Sequence, residues 1–280
     1  MNTPDGKRTD RATEIKRINV DGTRLHVAIQ QGDATRPPLL LINGVGANLE
    51  LFTPFIGALD KVAGPQKIGT LRFDIPGVGG SPTPLFPFSF QGLARLTARL
   101  MDSLGVQRVD VLGISWGGGL AQQFAYQYPQ RCRRLVLAAT STGAISVPGK
   151  PDVLVKLLNP HHLLRLSDWV SIIDHDGFQG DPELARTYAQ LVKVPNALGY
   201  YWQILAGTGW TSIGWLHRLR QPTLILAGDN DPIVPLANAR IMARYIPRAT
   251  LRIVKGGHLF LLSRAPEVAP VVHRFLTIDD

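Results

Sequence analysis

The sequence predicts an α/β domain in which helices cover both faces of a mostly parallel sheet. Short apolar runs alternate with helical patterns, and several runs end at a glycine or an aspartate. A chain of 280 residues, 45% of them hydrophobic, can bury one large core. The predicted core strands are residues 39–42, 70–73, 109–112, 135–138, 222–226 and 250–254. Weaker patterns at residues 14–20 and 24–30 predict an antiparallel edge.

Three helical patterns complete the predicted core. Leucines at helical spacing over residues 93–104 predict one helix, and a second runs over residues 115–128 until Pro129 stops it. An apolar stripe over residues 268–275 predicts the last helix. Pro270 should kink that helix or delay its start.

The regular alternation of strands and helices disappears in the middle of the chain. Residues 141–211 are rich in Leu, Trp, Tyr and His, with helical spacing at residues 152–158 and 182–192. We therefore expect an inserted, mainly helical cap over 141–211. The core domain is then formed by residues 1–140 and 212–280.

The amino-acid composition limits which kinds of site and which cellular location are expected for the protein. A single cysteine, Cys132, excludes an intramolecular disulfide and a cysteine-rich metal site. Residues 1–17 lack the apolar segment of a secretory signal, and no run approaches the ~18 apolar residues of a membrane span. A cytoplasmic location is therefore expected.

The net charge of +9 could indicate a nucleic-acid partner. The basic residues are scattered along the chain, which disfavours nucleic-acid binding and favours a solvated basic surface. The same charge would attract the protein to an anionic particle or membrane surface.

Ser115 is the predicted nucleophile. It lies in Gly113-Ile114-Ser115-Trp116-Gly117, between a predicted strand and a predicted helix, which is the context that makes this pattern informative. The sharp turn needs small residues two positions before and after the serine. Its place at a helix N-terminus favours developing negative charge. The alternative is a glycine-rich turn with a capping serine.

His258 is the predicted general base. Of seven histidines, it alone follows a late core strand, so it should meet Ser115 at the carboxyl edge of the sheet. His161 and His162 belong to the predicted cap and are candidates for substrate contacts.

A carboxylate must orient the histidine, and residues 228–232 supply two. We favour Asp231, because the Pro232–Pro235 segment stiffens the turn beyond it. Asp229 is the alternative, and its expected role is to shape the loop. The order Ser, Asp, His is that of α/β-hydrolases.

The predicted oxyanion hole combines two backbone N–H groups. The loop Asn43-Gly44-Val45-Gly46 follows a core strand, and its glycines allow a close approach to a substrate oxygen. Val45 N–H is the first expected donor and Trp116 N–H the second. A second glycine-rich turn, residues 74–79, has no nucleotide-binding pattern and is interpreted as structural.

Six segments of the chain together suggest a known family: residues 43–51, 113–132, 147–151, 199–203, 207–213 and 257–261. They resemble the intracellular medium-chain-length poly(3-hydroxyalkanoate) depolymerases of the α/β-hydrolase superfamily. The resemblance spans nearly the whole chain, and its cap segments are more specific than the triad motifs. It implies an α/β-hydrolase fold with a cap, a triad of Ser115, Asp231 and His258, and a cytoplasmic enzyme that works on polymer storage granules.

This resemblance implies hydrolysis of polyester to 3-hydroxy acids or oligomers through an acyl-enzyme, with no metal or organic cofactor. A polyester with long alkyl side groups needs an apolar cleft, for which the cap offers aromatic residues. The expected substrate-binding residues are Asn43, Gly44, Trp202, Trp210 and Leu259. The alternatives are a small-molecule carboxylesterase or lactonase with the same triad, and a catalytically silent receptor or granule-surface protein.

Overall fold

The computed structural model describes residues 12–158 and 196–278. Its sheet has eight strands in the order β1-β2-β4-β3-β5-β6-β7-β8. The strands are β1 Glu14–Val20, β2 Thr23–Gln30, β3 Leu39–Ile42, β4 Thr70–Phe73, β5 Val109–Ile114, β6 Cys132–Ala138, β7 Thr223–Gly228 and β8 Ala249–Val254. Strand β2 pairs antiparallel with β1 and with β4, and every other pair is parallel. The predicted α/β class and its antiparallel edge are confirmed.

Helices pack on both faces of the sheet. The described helices are α1 Thr53–Ala63, α2 Phe90–Ser103, α3 Trp116–Gln127, α4 Pro151–Leu158, α5 Ala197–Gly207, α6 Leu236–Tyr245, α7 Phe260–Ser263 and α8 Ala265–Thr277. Two short 3₁₀ helices, Leu49–Phe52 and Leu216–Arg218, lie between them. None of the helices in the described ranges is long and apolar enough to cross a membrane.

The core has two halves because successive strand residues point to opposite faces. In β3, Leu40 and Ile42 join the half that contains α2, α3 and α6, whereas Leu39 and Leu41 join the half that contains α1 and α8. In the leucine stripe predicted over residues 93–104, Leu93 and Leu100 are buried in the first half, and Leu96 and Leu104 pack against it partly buried. Helix α2 begins after Ser89, whose side chain accepts the N–H of Gly92 at 3.1 Å.

The last helix begins earlier than Pro270 would suggest. Helix α8 starts at Ala265, so Pro270 lies inside it and does not delay its start. Pro266, in the first turn, suits a helix start because its missing N–H would have no partner there. The buried stripe of Val268, Val272 and Leu276 stabilises the helix despite the hydrogen bond that Pro270 cannot donate.

The two ends of the predicted cap meet in the structure. Gly143 and Thr211 form an antiparallel bridge, and the N–H of Ser212 donates to the Thr142 carbonyl at 3.0 Å. The helix expected at residues 152–158 is confirmed as part of α4, and residues 182–192 lie outside the described ranges. The division into a core of 1–140 and 212–280 and a cap of 141–211 stays a prediction, which this bridge supports.

The second glycine-rich turn is held by a buried aspartate. Asp74 accepts the N–H groups of Leu49 at 2.7 Å and Gly80 at 2.8 Å, and its other contact is the His26 ring at 2.8 Å. Burial nevertheless raises the pKa of Asp74 above its usual value. The turn packs directly on α5, since a Cβ on Gly199 would lie 2.0 Å from the carbonyl oxygen of Gly77.

Candidate active site

Ser115 lies in a sharp turn between β5 and α3. Its φ of 55° is in the region that non-glycine residues rarely adopt. A Cβ on Gly113 would lie 2.3 Å from the carbonyl oxygen of Gly117, and a Cβ on Gly117 would lie 2.3 Å from that of Ile42. The turn therefore requires glycine at both positions, which is the physical reason for the spacing in the sequence.

The structure brings His258 and Asp231 to Ser115. His258 Nε2 is 2.9 Å from Ser115 Oγ, and His258 Nδ1 is 2.8 Å from Asp231 Oδ2. The second carboxylate oxygen, Oδ1, accepts the N–H groups of Ile233 at 2.8 Å and Val234 at 2.9 Å. With Nδ1–H donating to the carboxylate, Nε2 is free to accept the serine proton.

Asp229 has a different partner. Its Oδ1 accepts the N–H of Gly256 at 2.9 Å, and its side chain is exposed. This bond ties the loop after β7 to the loop that carries His258. The geometry thus agrees with the loop-shaping role expected for Asp229. His161 and His162 lie outside the described residues.

The loop after β3 lies against the nucleophile. A Cβ on Gly44 would sit 3.4 Å from the Ser115 Cβ, which is ordinary contact. Within the described residues, the backbone N–H groups of Val45 and Trp116 have no hydrogen-bond acceptor. They are therefore available to a substrate oxygen, as an oxyanion hole requires. Their assignment as its donors stays a prediction.

Ser115 opens into a cavity of ≈ 200 Å³. The lining residues among those described are Phe90, Ser115, Trp116, Gly119, Thr140, Ser141, Gly143, Gly207, Trp210 and Val234. The rings of Phe90 and Trp116 have centroids 4.7 Å apart, and those of Phe90 and Trp210 are 4.8 Å apart. The Trp210 N–H donates to Gln123 Oε1 at 2.9 Å. The one polar group of the indole is therefore paired, and the ring lines the cavity as an apolar surface.

The other expected substrate-binding residues are not among the described lining residues. The Trp202 N–H donates to the carbonyl of Pro84 at 3.2 Å and so ties helix α5 to a neighbouring loop. Asn43 donates its side-chain amide to the Asn48 carbonyl, which shapes the predicted oxyanion loop, residues 43–46. Leu259 packs against the core, and Gly44 contacts Ser115. Of the expected set, the structure brings Trp210 and Gly44 to the reactive serine.

Two polar residues near Ser115 were not predicted from the sequence. Thr140 Oγ1 donates to the Ser115 carbonyl at 2.7 Å. Gln203 Oε1 accepts the N–H of Gly46 at 2.7 Å. Thr140 follows β6 at the same sheet edge as the triad, and Gln203 is the one amide side chain in the otherwise apolar and aromatic helix α5. The sequence thus marked both residues as unusual in their setting, but it gave no indication that Gln203 contacts Gly46.

Within the described ranges, no group of three His, Cys, Asp or Glu side chains could hold a metal ion. The arrangement around Ser115 can perform acyl transfer: it places a hydroxyl beside an oriented imidazole, and N–H groups on neighbouring loops are the predicted oxyanion donors.

Fold and site together are those of a hydrolase that acts through an activated serine. A family model described as "alpha/beta hydrolase fold" matches residues 37–265, and the chain belongs to this family. It is 50% identical over 265 residues to the poly(3-hydroxyalkanoate) depolymerase of Ectopseudomonas oleovorans, covering 94% of this chain and 92% of that protein. The resemblance to poly(3-hydroxyalkanoate) depolymerases inferred from the sequence motifs is confirmed.

More distant relatives include lactonases. The chain is 26% identical to 3-oxoadipate enol-lactonase 2 of Acinetobacter baylyi, over 81% of this chain and 84% of that protein. The crystal structure of the enol-lactonase from Burkholderia xenovorans LB400 superposes with a TM-score of 0.80 at 25% identity, covering 94% of this chain and all of that one.

Proposed function

We propose that this carboxylic-ester hydrolase degrades medium-chain-length poly(3-hydroxyalkanoate) inside the cell to 3-hydroxy acids or oligomers. The observation that carries the proposal is the 50% identity to a poly(3-hydroxyalkanoate) depolymerase over 94% of the chain. That span is long enough to include most of the predicted cap, whose sequence segments carry the resemblance in substrate class.

The proposed mechanism is acyl transfer to water. Ser115 Oγ attacks an ester carbonyl of the polymer while His258 Nε2, 2.9 Å away, takes its proton. Asp231 holds the imidazole and stabilises its charged form. The N–H groups of Val45 and Trp116 stabilise the oxyanion. His258 then protonates the departing hydroxyl of the next repeat unit, and water attacks the acyl-enzyme to release the product and restore Ser115.

The cavity supports an alkyl substrate of limited size. Phe90, Trp116 and Trp210 make much of its described lining apolar, which suits a saturated side chain. Its volume of ≈ 200 Å³ is below the roughly 300–1,000 Å³ of usual ligand pockets. We infer that the reacting unit enters the cavity and that the rest of the polymer lies outside it.

We propose that the protein also adsorbs to the surface of the polyester granule. Apolar side chains are exposed beside the cap: Leu85 is 88% and Phe86 78% exposed, and on α5 the residues Leu198, Tyr201 and Leu205 are about half exposed. The Trp202–Pro84 hydrogen bond joins the loop to this helix. An apolar surface of this kind fits a hydrophobic polyester better than water.

The test uses purified protein and an emulsion of medium-chain polyester. Release of 3-hydroxy acids, measured by chromatography, is expected from the wild type and not from Ser115→Ala. p-Nitrophenyl octanoate and a small enol-lactone serve as soluble substrates in parallel. Brisk cleavage of a soluble substrate without release from the polymer would contradict the polymer proposal and favour a small-molecule esterase or lactonase. Absence of fluorophosphonate labelling at Ser115 would favour a silent scaffold.

A further inference from the structure

One residue of helix α5 contacts both parts of the predicted oxyanion hole. Gln203 is fully buried, and its Oε1 accepts the N–H of Gly46 at 2.7 Å. Its backbone carbonyl accepts the indole N–H of Trp116, also at 2.7 Å. Gly46 follows Val45 directly. Gln203 therefore binds the residue next to one expected donor, Val45, and the side chain of the other expected donor, Trp116.

The orientation of the Gln203 amide follows from its partner. A backbone N–H can only donate, so the amide oxygen faces Gly46 and the amide nitrogen faces away. This nitrogen is buried and has no hydrogen-bond partner among the described residues. A buried amide that leaves a donor unsatisfied is unfavourable for folding. Stability alone therefore does not account for glutamine at this position.

The oxyanion loop that Gln203 contacts needs a contact from outside the loop to fix its position. Val45 lies between Gly44 and Gly46, and Gly46 has a φ of 72°. Glycines on both sides make the backbone of the loop easy to displace. Oxyanion donors act only when they lie about 2.7–3.1 Å from the charged oxygen, and an error of ~1 Å can cost ~10²-fold in rate.

We propose that Gln203 is a positioning residue that holds the oxyanion loop and the Trp116 side chain, and so couples the cap to the chemical step. The inference rests on the proposed ester hydrolysis but not on the polymer as substrate. It assigns to the cap a role in kcat, in addition to any role in substrate selection.

Gln203→Met tests the proposal. Methionine has nearly the same length and forms helices well, and it keeps the backbone carbonyl that binds Trp116, but it removes the acceptor for Gly46 N–H. On p-nitrophenyl octanoate we expect kcat to fall about 10- to 100-fold with KM changed by less than about threefold. The affinity of an alkylboronic acid, whose adduct with Ser115 places an oxygen in the oxyanion hole, should fall in parallel with kcat.

Gln221→Met is the matched control. Gln221 is also buried, donates to the Ala125 carbonyl at 2.9 Å, and has an unpartnered amide oxygen, but it precedes β7 at the opposite edge of the sheet from Ser115. We expect it to lower the melting temperature and leave kcat unchanged. Rates are expressed per active site, titrated to completion with a phosphonate, so that a partly folded variant remains informative.

A Gln203→Met kcat within about twofold of wild type would overturn the proposal. So would a fall in kcat that Gln221→Met reproduces, since that would be an effect of stability. The assay uses a soluble ester, so a failure to degrade polymer leaves this comparison intact. The experiments can therefore contradict the polymer proposal without contradicting the Gln203 proposal, and the reverse.

Discussion

Two aspartates, two positions apart, allow the role of the carboxylate to be tested with a matched pair. Asp231 Oδ2 lies 2.8 Å from His258, whereas the Asp229 carboxylate accepts only the Gly256 N–H in the described structure. Asp231→Asn should lower kcat by about 10⁴-fold, because an amide no longer favours the productive tautomer of the imidazole. Asp229→Asn keeps an acceptor for Gly256 and should stay within about tenfold of wild type.

Both variants should be measured with p-nitrophenyl octanoate under saturating conditions, and their thermal unfolding recorded. Unchanged melting temperatures would show that any loss is chemical. If Asp229→Asn were the more damaging of the two, the carboxylate assignment would have to be reversed.

The three triad side chains could be predicted because each lies directly beyond a strand pattern. Parallel strands end at one edge, so three positions distant in sequence become neighbours in space. Gln203 could not be predicted in the same way. Its partner Gly46 is 157 positions away, and no local pattern specifies which loop a cap helix will contact. The triad could be predicted because each of its residues lies in an informative local sequence context. The contacts that hold the neighbouring loop could not, because they depend on tertiary packing between residues that are distant in sequence.

At the scale of elements, apolar runs predicted the strands well because β3 to β7 are almost entirely buried. Helix α8 was harder to predict. A proline inside a helical pattern normally marks a boundary, and the pattern could not reveal that a buried stripe outweighs one missing hydrogen bond.

Helix α8 offers a prediction about stability. Pro270 is exposed and lies at the sixth position of the helix, where a residue with an N–H would donate to the carbonyl of Pro266. Pro270→Ala should raise the free energy of unfolding by about 1–2 kcal/mol: the restored helix interior gains up to ~3 kcal/mol, and the more flexible unfolded chain offsets part of it. Urea denaturation measures the change.

Pro266→Ala is the control for this experiment. Pro266 is exposed as well, but it lies in the first turn of α8. An N–H group in that turn has no acceptor within the helix, so a proline there removes no helical hydrogen bond. We expect no gain in stability, or a small loss. Equal effects of the two substitutions would mean that the missing hydrogen bond is not what limits the stability of α8.

At the scale of the whole molecule, helix α5 packs on the turn after β4 through a contact that depends on the absence of side chains. Gly199 of α5 and Gly77 of the turn after β4 approach so closely that neither tolerates a Cβ. The sequence indicated a glycine-rich turn and a cap, but not that one docks on the other. In this position α5 contacts the loop after β3 through Gln203 and the loop that contains Leu85 and Phe86 through the bond from Trp202 to Pro84.

That combined surface predicts separate effects on polymer and on soluble substrates. Leu85 and Phe86 are almost fully exposed and lie outside the described lining of the Ser115 cavity. Burying a leucine or phenylalanine contributes ~1.5–3 kcal/mol each, and half of their combined value, ~1.5–3 kcal/mol, corresponds to about 10- to 150-fold in affinity. The double variant Leu85→Ser/Phe86→Ser should therefore bind polyester particles at least about tenfold more weakly, with kcat/KM on p-nitrophenyl octanoate unchanged.

Val62→Ser/Tyr245→Ser provides the comparison, since these exposed apolar residues belong to helices α1 and α6 and not to α5 or the loop of Leu85 and Phe86. Sedimentation of the particles separates bound from free protein, and 3-hydroxy acid release gives the rate. If adsorption were driven by the net charge of +9 instead, added salt would release the wild type and the two double variants would bind alike. An apolar contact with the granule requires that binding resists added salt and that, of the two double variants, only Leu85→Ser/Phe86→Ser weakens it.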